Sequence, residues 1–344
     1  MNDSPSPLKN ILVFASEKVK PAFQILDKNI PVSIHFTDLS FSPLIFLKNI
    51  FQITRADMVY FHSPTNLRII LMPIAYLFRK KIILQWIGGD VLTVTCHCRE
   101  QIYDIGNEKY ISVKKVLTTG ISGLTRKIIN FVIKNTDVFL NYLNFFVTCH
   151  IACSPHLVEE LKLVNIKAHY VPVLNHITPE ILPFPPNFAV LSYIGFQKSS
   201  DTKNFYGWAT IRRLAKDFPD LKIYLVGRGG RLDNLPPNIE YCGFVEDISL
   251  LLKKCKAVLR ITYHDGVPRL ILEALATGRY VIYTRSFPTT YTITTYEEVK
   301  YYMNRIRNCS EPNMDGYNLI RKEYSQKKVS DIFYKIFTKV NNAD

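Results

Sequence analysis

The sequence predicts an α/β protein of two domains, each a parallel sheet with helices packed on it, and three observations lead there. Residues 257 to 284, AVLRITYHDGVPRLILEALATGRYVIYT, read as strand, loop, helix and strand, the βαβ unit of parallel sheets. Short apolar runs of the same kind recur along the chain with helical stretches between them. A proline-rich connector, NHITPEILPFPPN over 175 to 187, interrupts this alternation, and 344 residues are long for one core but comfortable for two.

The 257 to 284 unit organises the rest. Val258 to Thr262 is its first strand. Pro268 sits where a helix can begin without wasting a backbone donor, and Gly278 where it can end in the left-handed region. Between them Leu270, Ile271, Leu272, Ala274, Leu275 and Ala276 leave hardly any face for water, so the helix is expected to lie buried on the sheet. Glu273 is out of place there, because a carboxylate loses its hydration unless a partner replaces the water. Two partners are compatible with the sequence. Arg269, one turn earlier, can form an ion pair in the less favourable orientation. In the other reading the helix start faces a cleft at the carboxyl end of the sheet, where its N–H groups and dipole attract a phosphate and Glu273 accepts the hydroxyls of a ribose. Asp265 precedes it in a loop whose Gly266 and Pro268 let backbone approach a ligand.

An acidic residue, seven others and then Glu, with Gly266 directly after the first acid and Pro268 three after it, resembles the acid-x7-Glu signature of GT-B glycosyltransferases, particularly the retaining family 4 type. The resemblance implies that Asp265 contacts the transferred sugar, that Glu273 holds the nucleotide ribose, and that Gly266, Val267 and Pro268 line the donor. Asp265 stands where Glu is usual, one methylene shorter.

Composition narrows the partners. Charged residues make up 21% and apolar residues 47%, an ordinary globular balance, and 12% aromatics argue against disorder. The net charge of +14 is spread over both halves and asks for an anionic partner. No nucleic-acid module signature accompanies it, so no nucleic-acid partner is expected, and nucleotide phosphates and an anionic membrane surface fit the charge better. Seven cysteines do not read as a disulfide framework, and the start MNDSPSPLKN does not read as a signal peptide, so a cytoplasmic location is expected. The Cys and His residues in CHC at 96 to 98 and CHIAC at 149 to 153 lack the CxxC spacing of structural zinc, and no metal site is expected.

In chain order, NILVFAS at 10 to 16 is the first strand of a doubly wound domain, with no glycine fingerprint after it. Further strands are expected at 32 to 38, 58 to 63, 81 to 88, 150 to 154 and 168 to 173. ADMVYFHS brings His62 to the carboxyl end of a strand, where it resembles the family histidine that faces the donor sugar. QWIGGDVL ends the next strand in Gly88, Gly89 and Asp90, a loop for donor or acceptor, although Asp90 can equally cap a helix. GLTRKIINFVIKNTDVFLNYLNFFV reads as one apolar and aromatic helix to Val147, packed in the core or lying on a membrane.

The second domain opens with VLSYIGF, a polar loop and a helix from Lys203 to Phe218, then LKIYLVG ending at Gly227 and Arg228. This order resembles the family's carboxyl-terminal domain, and the resemblance makes Lys203 the phosphate lysine and Gly227 and Arg228 part of the pyrophosphate loop. Phe196 occupies the place of the family's arginine, so Arg228, Lys198 or Arg260 is expected to supply the missing charge. Phe244 and Val245 are expected against the nucleotide base, Asp247 at the start of a helix, and amphipathic helices at 296 to 308 and 318 to 340.

The expectation is therefore a GT-B fold with two Rossmann-like domains facing a central cleft: 1 to 180 on the acceptor side, 181 to 318 for the nucleotide-sugar, and 319 to 344 packing back on the first. The function implied is transfer of a hexose-type sugar from a UDP- or GDP-sugar to a hydroxyl of a glycan or lipid-linked acceptor, with retention and no metal or other cofactor. Asp265 and His62 are its catalytic candidates. A non-catalytic nucleotide-sugar-binding or partner protein of the same fold is the alternative.

Overall fold

The structure, a computed structural model, describes residues 8–15, 19–37, 43–64, 67–99, 101–118, 123–175, 177–195, 205–227 and 234–343. The chain forms two compact units: Met1–Cys98 with Lys127–His176 and Gln326–Asp344, and Arg99–Arg126 with Ile177–Ser325.

The elements alternate as the apolar runs require. The first stretch gives β1 (Asn10–Phe14), α1 (Lys20–Asn29), β2 (Ser33–Thr37), α2 (Pro43–Arg55), β3 (Met58–His62), α3 (Met72–Leu77), β4 (Lys81–Trp86) and α4 (Gly88–Thr95). A hairpin of β5 (Gln101–Asp104) and β6 (Lys109–Ser112) follows with α5 (Val113–Thr118), then α6 (Gly123–Lys134), α7 (Thr136–Phe146), β7 (Cys149–Ala152), α8 (Pro155–Lys162) and β8 (Ala168–Tyr170). Beyond the connector come β9 (Ala189–Tyr193), α9 (Trp208–Asp217), β10 (Lys222–Val226), β11 (Ile239–Gly243), α10 (Ser249–Leu252), β12 (Ala257–Arg260), α11 (Arg269–Ala276), β13 (Tyr280–Tyr283) and β14 (Tyr291–Thr292). Three helices close the chain, α12 (Tyr296–Arg307), α13 (Met314–Glu323) and α14 (Gln326–Asn341).

The first unit holds a parallel sheet in the order β2-β1-β3-β4-β7-β8. Both faces are covered, which is why its strands read as continuous apolar runs. Leu12, Phe14, Val59, Phe61, Leu84 and Trp86 face one core. Ile11, Val13, Met58, Tyr60 and Ile83 face the other, where α1 supplies Phe23 and Leu26 and α14 supplies Phe333 and Phe337.

The second unit repeats the plan with the order β11-β10-β9-β12-β13-β14, again parallel throughout. From β9 the chain runs outward through β10 and β11, then returns to the other side of β9 as β12. That reversal makes a topological switch point between the carboxyl ends of β9 and β12, the position where open α/β sheets bind ligands.

The structure departs from the sequence expectations in three places. The helix expected over 124 to 147 is two, because Asn135 leaves the helical region at φ −125° and ψ 42°. The helix expected over 318 to 340 is also two, interrupted after Tyr324, so that α13 stays with the second unit and α14 belongs to the first. Finally, single cuts near 180 and 318 do not describe the units, because the β5–β6 hairpin belongs to the second. Ile105 enters the core around Val190, Ile211 and Ile261, Glu108 pairs with Arg213 at 2.6 Å, and a Cβ on Gly106 would stand 2.2 Å from the Thr210 nitrogen.

All seven cysteines are free. Among the described residues no group of His, Cys, Asp and Glu is arranged to hold a metal ion, and no helix is long and apolar enough to cross a membrane.

Candidate functional site

The switch point of the second unit carries the residues singled out in the sequence. Arg260 is the last residue of β12 and is buried. Its Nη2 donates to Asp265 Oδ2 at 2.6 Å, and its guanidinium lies 4.6 Å from the ring centre of Tyr193 and 5.1 Å from that of Tyr206. Burial pushes the Tyr206 hydroxyl up to about 12, so it stays a neutral donor. Arg260 Nε is buried with no hydrogen-bond partner among the described residues. A guanidinium held over two rings by one carboxylate is oriented at little entropic cost, and it retains donor capacity.

The loop after β12 is tied down at Gly266. Asp265 Oδ1 accepts from the Gly266 N–H at 2.9 Å, and the Tyr283 hydroxyl donates to the Gly266 carbonyl at 2.8 Å. Gly266 and Val267 are buried, and Pro268, extended at φ −63° and ψ 136°, caps α11. The helix begins at Arg269 and ends before Gly278, which is left-handed at φ +75°.

Glu273 has the local partner. Arg269 Nε donates to its Oε1 at 2.8 Å, one turn away, while Oε2 takes no hydrogen bond among the described residues. The Glu273 side chain is 17% exposed and that of Arg269 51%. Burial raises the Glu273 pKa, Arg269 opposes that shift, and Asp247 adds to it. An ion pair with one partner this exposed contributes little and is easily exchanged. In the loop after β11, Phe244 is exposed and Val245 half-buried. Asp247 Oδ1 accepts from the Ser249 N–H at 2.9 Å at the start of α10, which is one turn long.

Gly227 follows β10 at φ +146°, and a Cβ there would come within 1.8 Å of the Ile194 carbonyl oxygen. No other residue fits. Its N–H donates to the Gly243 carbonyl at 2.8 Å and its own carbonyl accepts from the Tyr241 hydroxyl at 3.0 Å. The cations expected beside it, Lys203, Arg228 and Lys198, lie outside the described residues, as does Phe196.

In the first unit, His62 is half-buried at the end of β3, opposite Gln85 of β4. Ser63 follows in the left-handed region at φ 80° and donates through Oγ to Asp90 Oδ1 at 3.0 Å. Asp90 is buried in the first turn of α4. Gly88 and Gly89 open that helix after an extended Ile87, and a Cβ on Gly89 would meet nothing within 4 Å. Among the described residues no atom fills the space beside Gly89.

Sequence reasoning missed the two tyrosines around Arg260 and a cavity of about 250 Å³ in the same unit. It lies where Ile261 to Tyr263, Thr284, Arg285 and Thr294 meet Gln101 and Tyr103 of the hairpin. Arg285 Nη2 donates to the Tyr263 carbonyl at 2.7 Å, and Thr284 Oγ1 donates to the Thr262 carbonyl at 2.8 Å. The Gly106–Asn107 dipeptide between alternating apolar residues was the available signal for this hairpin.

Taken by itself, the second unit presents a buried cation, a helix start and a half-buried carboxylate at one sheet end. Buried cations and helix starts pair with anions, and carboxylates accept from hydroxyl groups.

Comparison with known proteins bears on the fold of the chain. Residues 200–298 match the model of the family Glycosyl transferases group 1. No curated protein matches the chain in sequence. Among solved structures, sucrose-phosphate synthase from Thermosynechococcus elongatus is similar over 98% of this chain and 100% of its own, with 11% identity and a TM-score of 0.63. The pneumococcal O-GlcNAc transferase GtfA, in complex with UDP and GlcNAc, is similar over 86% of this chain at 12% identity and a TM-score of 0.56. TarM is similar over 86% at 11% identity and a TM-score of 0.55. The chain spans 57% of the TarM chain and 60% of the GtfA chain. At this identity the likeness concerns the fold, and the fold is GT-B, with two Rossmann-like α/β units.

Proposed function

We propose that this protein is a glycosyltransferase that moves a hexose-type sugar from a UDP- or GDP-sugar to a hydroxyl of a glycan or lipid-linked acceptor. The observation that carries the reading is the cluster at the β9–β12 switch point, Arg260, Asp265 and Glu273 around the start of α11, lying within the segment that matches the group 1 family. In this reading Arg260 and the α11 N–H groups hold the diphosphate, Lys203 and Arg228 join them, and the Gly227 loop lets backbone approach it. Glu273 accepts from the ribose through its open oxygen, and Phe244 and Val245 flank the base. Asp265 meets the transferred sugar, with Gly266, Val267 and Pro268 giving the loop its close approach. His62 and the Gly88, Gly89 and Asp90 turn serve the sugar or the acceptor.

The barrier in such a transfer is departure of the nucleoside diphosphate, so fixed cations and N–H donors aimed at it stabilise the transition state. Retention of anomeric configuration and independence of metal and other cofactors belong to the same reading, as does an intracellular donor supply. Incubating the purified chain with UDP- and GDP-sugars and candidate acceptors tests it, release of UDP or GDP being the expected result.

A second reading is favoured by one observation: both acids already have cationic partners, Arg260 for Asp265 at 2.6 Å and Arg269 for Glu273 at 2.8 Å. A non-catalytic protein that binds a nucleotide-sugar is compatible with that arrangement. Tight binding of a nucleotide-sugar without release of nucleoside diphosphate in the same assay selects this reading.

A further inference from the structure

Large apolar side chains stand in solvent on one side of the first unit. On α2, Leu44, Leu47 and Phe51 follow at helical spacing and are 79%, 62% and 54% exposed, although the opposite side of the helix already supplies Ile53 to the core. On α3, Leu77 is 78% exposed, with Tyr76 beside it and Phe78 just after. These helices are neighbours: Lys80 Nζ donates to the Thr54 carbonyl at 3.0 Å, and the Tyr76 ring lies 5.4 Å from the exposed Phe145 of α7. An apolar surface that continues across three helices marks a contact with something else.

The charge around it identifies the contact. Between Asp38 and Asp90 the only acidic residue is Asp57, whereas Lys48, Arg55, Arg68, Arg79, Lys80 and Lys81 lie in the same span. The Asp57 carboxylate is turned to the start of β1, accepting from the Lys9 and Asn10 N–H groups at 2.8 and 2.9 Å. Lys48, Arg55 and Arg79 are exposed, and the Arg55 guanidinium sits 4.1 Å from the ring centre of the exposed Phe51. A second copy of the chain would bring these cations against one another. An anionic bilayer accepts both the apolar side chains and the cations.

We propose that the α2–α3 face of the first unit docks on an anionic lipid bilayer, with Leu44, Leu47, Phe51 and Leu77 entering the interfacial layer and Lys48, Arg55 and Arg79 meeting lipid phosphates. The chain then lies on the membrane and does not span it. This docking is independent of the sugar-transfer reading, because partitioning is measured without a donor or an acceptor.

The test is sedimentation of the full chain with vesicles of phosphatidylcholine alone and of phosphatidylcholine with phosphatidylglycerol. Binding to the anionic vesicles is expected to exceed binding to the neutral ones by about tenfold or more and to weaken with salt. The triple variant Leu47→Ser, Phe51→Ser, Leu77→Ser and the double variant Lys48→Glu, Arg55→Glu should each lose about tenfold in partitioning with unchanged melting curves, since all five side chains are exposed. No binding to anionic vesicles overturns the proposal, and so does a triple variant that binds like the unaltered chain. Lipid-free dimers in analytical ultracentrifugation that the triple variant abolishes would assign the face to a second copy instead.

Discussion

Arg260 and Asp265 form an ion pair of 2.6 Å across the turn that leaves β12, with the arginine buried and the aspartate part exposed. The shorter acid in the family-like motif is thus tied to a buried cation at the switch point, and its Oδ1 is held by the Gly266 N–H. Ligand entry has to exchange that pairing. A diphosphate can take over the arginine and release the carboxylate toward the sugar, which couples donor binding to positioning of the acid.

Asp265→Ala is therefore expected to abolish transfer while affinity for UDP or GDP does not fall, because the guanidinium loses its internal competitor. Isothermal titration beside a turnover assay checks this. A parallel loss of both activity and nucleotide affinity would contradict the assignment of Asp265 to the sugar. Removing one member of a buried pair also costs stability, here about 2 kcal/mol given the partial exposure of the aspartate, and denaturant melts report it.

Glu273→Gln is expected to weaken nucleoside diphosphate binding by about 1 to 3 kcal/mol, the range for losing a charged acceptor of hydroxyls. Its effect on folding has the opposite sign. Burial raises the Glu273 pKa above that of the unfolded chain, so the ionised carboxylate disfavours the native state above the folded pKa. That penalty disappears as pH falls through the raised value toward the ordinary carboxylate range. The amide variant should be at least as stable as the unaltered chain at pH 7, and its advantage should shrink on acidification. Equal nucleotide affinity in the two proteins would reject the ribose role.

Much of this site was legible because it is local. Pro268, Gly278 and the apolar run between them specify α11, and the position of Glu273 in that run demanded a partner. Which partner it takes depends on rotamers of Arg269 and on ligand occupancy, and sequence spacing leaves both open. The Arg260–Asp265 pair was not legible, since a spacing of five across an irregular loop carries no periodic signal. Tyr193 and Tyr206 come from another strand and helix start, and their contact with Arg260 is made only when β9 and β12 become neighbours. The hairpin was missed for a related reason. Its twelve residues have turn chemistry of their own, but their unit is decided by Ile105 and Gly106 fitting against α9.

His150 gives a pH-dependent test of the first unit. It is buried on β7, and its Nδ1 accepts from the Trp86 Nε1–H at 3.0 Å, which requires that nitrogen to be unprotonated. Burial holds its pKa down to about 4. The neutral ring is favoured in the native state, so its contribution is complete above pH ~6.5 and is lost as pH falls toward 4, about 3 kcal/mol in all. His150→Phe should cost about 1 to 2 kcal/mol at pH 7, from the stranded Trp86 N–H, and should flatten the decline between pH 6.5 and 4. Urea titrations across that interval measure both.

Gly227→Ala tests the loop at the end of β10 by steric means alone. At φ +146° an alanine is strained, and its Cβ would lie 1.8 Å from the Ile194 carbonyl oxygen, a backbone atom that cannot rotate away. The ends of β9 and β10 must then separate, breaking the Ile194 N–H to Val226 carbonyl bond at 2.8 Å. A destabilisation of about 2 to 4 kcal/mol is expected. Nucleotide affinity should fall even at temperatures where the variant remains folded, because the displaced segment borders the switch point. Gly243→Ala is the control: that residue is also left-handed, at φ +65°, but its Cβ meets nothing within 4 Å. It should cost only the backbone strain, about 1 kcal/mol, and leave nucleotide binding close to normal. Equal loss of binding in the two variants, measured by titration with UDP and GDP, would show that the close approach at Gly227 has no part in holding the donor.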